Sequence, residues 1–293
     1  MNSIGIYFAY WSRSWDADYL YYIDKVSQLG FDILELSTDK LLQMNDTQLQ
    51  ELRKRADDKN LTLTYCIGFS PAYDLASPEA AVRKSGVEYA KRTLETIAKL
   101  GGKVFGGINY SCWPGQLGID VDKTPYLERS ADCLRQILPV AEGYDITYCV
   151  EVVNRFEQYL FNTVAEALDF IRQIGSSHLK LLLDTFHMNI EEDSIGDAIR
   201  LAADSIGHFH IGETNRREPG QGRMPWTEIC AALADVRYQG AIVMEPFVKM
   251  GGQVGQDIKL YRDLSSQTEA QMDQSAAAAL QFMRSAVQNA AAN

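Results

Sequence analysis

"LLLDTFHMNIEED", residues 181–193, decides how the fold is read. An apolar run of strand character ends in Asp184, and His187 follows three residues later. An ionised carboxylate at the end of a buried strand is costly unless something pairs with it. Runs of this kind recur along the chain. Short apolar, β-branched segments predict strands at 4–10, 32–36, 61–67, 104–108, 146–152, 179–184, 206–211 and 241–245. Between them, helical periodicity predicts helices at 18–29, 47–58, 78–100, 125–142, 165–174, 195–203 and 225–236, with Asp46 before Thr47 and Pro225 before Trp226 as start signals. A last helix at 272–287 precedes an Ala/Asn tail expected to fray.

Eight strands, each followed by a helix, is the arithmetic of a (β/α)8 barrel (TIM barrel). A doubly wound sheet is the alternative, but no G-x-G-x-x-G follows the first strand. With no linker, low-complexity block or break in composition, residues 1–293 read as one barrel domain.

The charge balance, 28 Lys and Arg against 39 Asp and Glu, gives a net charge of −11. That argues against nucleic acid as a partner, because affinity for it rests on basic residues neutralising phosphates. Five widely spaced cysteines, odd in number and without a C-x-x-C, read as buried, reduced thiols. The segment MNSIGIYFAYW lacks a basic region and a long apolar stretch, and no run approaches the ~18 apolar residues a membrane helix needs. The expectation is a cytoplasmic protein without a membrane partner.

Barrel enzymes place their chemistry at the C-terminal ends of the strands. In the second half of the chain those ends carry Glu151 (ITYCVEVVNRFE), Asp184 (LKLLLDTFH), His210 (GHFHIGE) and Glu245 (AIVMEP). They lie 33, 26 and 35 residues apart, about one βα unit each, which sets them at a similar height on four adjacent strands. Each acid alone would more often be a helix cap or a loop residue; the coincidence of four is what points to a metal. Three carboxylates and one imidazole suit Mn²⁺, Co²⁺ or Mg²⁺ better than a structural zinc, which favours Cys and His. His208 shares a face with His210 at period two and should be a core histidine in a deeper layer. Just past the strand ends, Glu157, His187 and Arg216 offer donors and acceptors for several hydroxyls or a carbonyl. Tyr7 and Trp113 add aromatic faces suited to sugar C–H surfaces.

The stretches EVVNRFEQYL, LDTFHMNIEED, GHFHIGETNRR, PGQGRMPW and VMEPFVKMGG together resemble the ketose 3-epimerases, the D-tagatose 3-epimerase and D-psicose (allulose) 3-epimerase family. GIYFAYW, GFDILEL and YRDLSS fit as well, so the likeness runs over essentially the whole chain. It implies a xylose-isomerase-like (β/α)8 barrel. It implies that Glu151, Asp184, His210 and Glu245 bind one divalent metal, usually Mn²⁺ or Co²⁺. It assigns Glu157, His187 and Arg216 to substrate contacts around O1 to O3, with Tyr7 and Trp113 lining the pocket, and it implies a dimer or tetramer.

The implied chemistry is epimerisation of free ketoses at C3, for example D-fructose/D-allulose, D-tagatose/D-sorbose or ribulose/xylulose. The C3 proton is acidic because the C2 carbonyl can take up the electrons, and a metal on O2 and O3 stabilises the cis-enediolate. Inversion needs a base on one face and an acid on the other, roles that fall to Glu151 and Glu245. The family pattern is looser at TYCIGFS and GGINYSCWPG, where Tyr65 and Cys66 look closer to the tagatose branch and are expected to meet the C4–C6 end of the sugar. Three rivals remain. The glycines of VKMGGQVGQ would suit a sugar-phosphate epimerase or aldose–ketose isomerase. A DNA-repair nuclease would need more than four histidines and less negative charge. A non-catalytic sugar-binding barrel would not need both glutamates.

Overall fold

The computed structural model describes residues 2–265 and 268–292; the ends of the expected domain, 1 and 293, and Ser266 of YRDLSS lie outside the described residues. In chain order, β1 is Ile4–Tyr7, α1 Tyr19–Gln28, β2 Ile33–Ser37, α2 Thr38–Leu41, α3 Asp46–Asp58, β3 Thr62–Cys66, α4 Ala80–Lys99 and β4 Val104–Gly106. There follow α5 Thr124–Gly143, β5 Thr147–Val152, α6 Val164–Ile174, β6 Leu179–Asp184, α7 Thr185–Glu191, α8 Ile195–Ala202, β7 Ile206–Ile211 and α9 Trp226–Asp235. β8 Ile242–Met244, α10 Gly252–Asp257 and α11 Glu269–Ala292 complete the order. The eight strands are parallel and close in sequence order, with Ile4 of β1 beside Ile242 of β8. This is a (β/α)8 barrel.

Local chemistry explains where the elements start. Asn45 caps α3 through a reciprocal box with Gln48, and Thr163 caps α6 with Glu166 in the same way. α6 stops at Gly175, whose φ of 76° is the left-handed conformation that glycine adopts freely. The first strand is shorter than expected, because Phe8–Tyr10 tightens into a 3₁₀ turn. The C-terminal reading needs a larger correction. α11 runs from Glu269 to Ala292, well beyond the expected 272–287, and the Ala-rich tail is helical because alanine is the best helix former. Its start is anchored by Lys25 Nζ, which donates to both carboxylate oxygens of Asp273 at 2.8 and 2.7 Å.

Alternation along each strand sorts its side chains between the barrel interior and the helical shell. Gly106 on β4 leaves room in the interior for Leu182, since a Cβ there would come within 2.6 Å of the Leu182 Cδ1. Tyr65, expected at the pocket, instead points outward: its ring closes on Gly102, where a Cβ would come within 2.3 Å of its Cε2, and it is wholly buried. Its neighbour Cys66, one residue on, faces in. Four of the five free cysteines are buried; Cys112 is only half-buried, which departs from the expectation for all five. Among the described residues no helix is long and apolar enough to cross a membrane.

Candidate active site

At the C-terminal end of the barrel, Glu151 from β5, Asp184 from β6, His210 from β7 and Glu245 just past β8 each present one donor atom, all within 4.8 Å of one another. The ladder sets this up: Asp184 pairs with His210 across β6 and β7, and Glu245 follows the last residue of β8. Asp184 also accepts from the Phe186 N–H at 3.0 Å and so caps α7. The cap and the site residue are the same side chain.

The crowding has electrostatic consequences. Burial, helped by Glu151 and Asp184, pushes the Glu245 carboxyl up to about 8, against the pull of His210 and Arg216. Burial also opposes ionisation of Asp184, yet Arg216, His187 and His210 hold it below the usual carboxylate range. His210 is raised well above the usual histidine value despite its burial, chiefly by Glu35 and Glu245.

These four residues could hold a hard divalent cation. Three carboxylates and one imidazole are the right donors, and the buried His210 Nδ1 has no hydrogen-bond partner while standing 3.8 Å from both Glu151 Oε1 and Glu245 Oε2. Glu35, Cys66 and His210 also bring donor atoms within 4.8 Å. Burial and the surrounding carboxylates push the Cys66 thiol well up, and a single thiolate is a softer donor than the hard oxygen set of the four-residue cluster.

Above the cluster lies a pocket of about 460 Å³ including its open mouth. Its floor is Glu151, Glu157, His187, Arg216 and Glu245, and its walls are Tyr7, Trp15, Ile67, Ile108, Trp113, Phe247 and Ile258. Arg216 Nη1 donates to Asp184 Oδ2 at 2.8 Å and to Glu245 Oε2 at 2.9 Å. Its guanidinium stacks 3.9 Å from the centre of the Phe186 ring. The His187 ring is steadied by the Asn154 backbone N–H, which donates to Nδ1 at 3.3 Å, and its Nε2 stands 3.6 Å from Asp184 Oδ2. Glu157 accepts from Trp113 Nε1 at 2.9 Å and from Asn154 Nδ2 at 3.1 Å. Burial works against the ionised form of Glu157, but His187 and Arg216 keep its carboxyl below the usual range.

The profile of the xylose isomerase-like TIM barrels matches residues 23–286. A D-psicose 3-epimerase of Ruminiclostridium cellulolyticum is 48% identical over 281 residues, covering 96% of each chain. The chain belongs to the ketose 3-epimerase family. An L-ribulose 3-epimerase of Mesorhizobium japonicum is 37% identical over 84% of this chain and 82% of its own. The solved D-psicose 3-epimerase of Clostridium cellulolyticum H10 with D-tagatose superposes with a TM-score of 0.95 at 47% identity, over 97% of this chain and 99% of that one.

Within this ketose 3-epimerase barrel, the structure brings together the nine residues read as metal ligands or main substrate contacts, four in the carboxylate–imidazole cluster and Tyr7, Trp113, Glu157, His187 and Arg216 around the pocket, and adds Cys66 but not Tyr65. His208 is wholly buried one layer deeper, as expected. The candidate site also includes residues that strand-end reasoning passed over. Trp15 and Phe247 wall the pocket, and Asn154 braces both His187 and Glu157. Glu213, wholly buried, accepts from Gly220 N, Met224 N and Trp226 Nε1 at 2.7, 3.0 and 2.8 Å, and so shapes the loop that carries Arg216. Glu35, inside GFDILEL, was legible only as an acid flanked by two leucines in a strand. At VKMGGQVGQ, Gly251 and Gly252 make a turn at φ of 85° and 66°, and the Lys249 amine is tied to the Trp11 carbonyl at 3.0 Å.

Proposed function

We propose that the chain is a metal-dependent 3-epimerase of free ketoses, with D-fructose/D-allulose as the first pair to test and tagatose/sorbose and ribulose/xylulose as further candidates. One observation carries this reading: four donor atoms within 4.8 Å of one another open onto a pocket floored by Glu157, His187 and Arg216. The D-psicose and L-ribulose names of its relatives support the substrate class.

Glu151, Asp184, His210 and Glu245 would hold Mn²⁺ or Co²⁺, with Mg²⁺ as a further candidate. That cation would draw electrons from the C2 carbonyl and make the C3 proton acidic. The chain's residues do the rest. Glu157, His187 and Arg216 bind the hydroxyls and carbonyl near C1 to C3 and fix which face of C3 meets each carboxylate. One of Glu151 and Glu245 takes the C3 proton; the other returns a proton to the opposite face, which inverts the centre. Because either carboxylate can take the proton or return it, the reaction runs both ways. The apolar walls exclude water while C3 is deprotonated. We read residues 1–293 as one domain, supported by a continuous apolar core; the dimer or tetramer expected of the family rests on the resemblance alone.

The test is incubation of the Mn²⁺-loaded protein with D-fructose in D₂O, followed by NMR. Deuterium at C3 together with allulose supports the proposal. Deuterium at C1 with an aldose product would make the protein an aldose–ketose isomerase, and no exchange with any free ketose would remove the catalytic reading.

A further inference from the structure

Beneath the four-residue cluster, Glu35 sits on the inner face of β2 with no exposure at all. Its Oε2 accepts from Thr64 Oγ1 at 2.9 Å and stands 2.6 Å from His208 Nε2. Its Oε1 lies 2.6 Å from His210 Nε2, a charge contact off the line of an ideal hydrogen bond. The rings of His208 and His210 are 5.0 Å apart and steeply inclined, so the carboxylate is wedged between two imidazoles.

Stability is a poor reason to keep such a cluster, since buried ionic groups replaced by apolar ones of similar volume often leave a protein as stable or more so. Orientation is a better one. With Nε2 turned to a carboxylate, the nitrogen left to His210 for its neighbours is Nδ1, 3.8 Å from both Glu151 and Glu245. A carboxylate behind an imidazole fixes the tautomer and the ring angle of a metal-ligating histidine. Glu35 does not line the pocket, so it meets no substrate.

We infer that Glu35, pinned by Thr64 and His208, is the positioning residue that aims His210 Nδ1 at the metal. This rests on the metal reading proposed above. The role is distinct from catalysis: Glu35 sets how well the site takes up its cation, and the reaction depends on it only through His210.

The test is Mn²⁺ titration of chelator-dialysed protein, with free Mn²⁺ followed by its EPR signal, for wild type, Glu35→Gln and Thr64→Val. In Glu35→Gln the Kd for Mn²⁺ should rise about 10–100-fold with the circular dichroism spectrum unchanged. C3 exchange should recover most of its rate in excess Mn²⁺, a rescue that a collapsed barrel could not show. Thr64→Val keeps the carboxylate but removes one of the two partners of its Oε2, leaving His208 alone to hold it, and should weaken Mn²⁺ by about threefold or more. A Glu35→Gln Kd within about twofold of wild type would overturn the inference. Should that variant not fold, a Thr64→Val protein that binds Mn²⁺ like wild type overturns it equally. Wild-type protein that takes up no Mn²⁺ would fail at the metal reading itself, before any variant is compared.

Discussion

Trp113 Nε1 donates to Glu157 Oε2 at 2.9 Å, so an aromatic wall of the pocket also holds one of its polar contacts. Trp113→Phe keeps most of the ring and removes the donor. Glu157 then retains Asn154 as its side-chain partner and gains freedom to swing. Hydrogen bonds to charged groups are worth about 1.5–3 kcal/mol. We expect KM for D-fructose to rise about tenfold, with kcat changed by less than about threefold, because the groups at C3 are untouched. Steady-state kinetics check this; a kcat loss without a change in KM would place Trp113 at the reacting carbon instead.

Glu151→Gln and Glu245→Gln should each lower C3 exchange by about 10²–10⁴-fold or more, the usual range for losing a positioned acid or base. Because both side chains belong to the donor cluster, exchange should be measured with Mn²⁺ raised until the rate stops increasing. His208→Ala should act mainly on melting temperature. Substantial turnover retained by either glutamate variant in saturating metal would remove the two-carboxylate mechanism.

Dialysis against a chelator should abolish turnover, and Mn²⁺ or Co²⁺ should restore it. The same cations should raise the melting temperature in a concentration-dependent way, since a ligand at 100 times its Kd stabilises the fold by about 2.7 kcal/mol. Differential scanning calorimetry at several metal concentrations reads this directly.

Glu166 offers a pH test away from the pocket. Its carboxylate accepts from the Asn162 and Thr163 backbones at 2.9 and 3.3 Å and pairs with Lys123 at 2.7 Å. Burial opposes ionisation, but these partners win and hold the folded pKa below the ordinary value. A depressed carboxylate contributes stability above its unfolded pKa, about 4.3, and loses it as pH falls through the folded value. The melting temperature of Glu166→Gln should therefore lie below wild type at pH 7, and the two should converge as pH drops below about 4.3.

The barrel was legible because alternating strand and helix signals need only local sequence, and the clustering of Glu151, Asp184, His210 and Glu245 because each sits at or beside the end of its own strand. What escaped depends on which way a side chain faces. Tyr65 and Cys66 are adjacent in sequence and end on opposite faces of β3. Glu35 is drawn to the site only through His208 and His210, 173 and 175 residues away. Asn154 and Glu213 act through loop backbone, whose path no periodicity encodes. The C-terminal helix was underestimated because its last turns are alanine and asparagine, with few large apolar side chains to mark a buried face.

Arg216 holds a φ of 63°, a conformation that a side chain other than glycine's adopts only when its surroundings enforce it. Its N–H reaches the Glu213 carbonyl and its own carbonyl accepts from Phe247 N, both at 2.9 Å, while its guanidinium lies between Phe186 and Phe247. A free arginine carries about 2 kcal/mol of rotamer entropy, which a ligand would ordinarily have to quench on arrival. Here folding has quenched it beforehand. The conformational loss is charged to the barrel's stability, and a sugar entering the pocket meets a guanidinium that has little disorder left to give up.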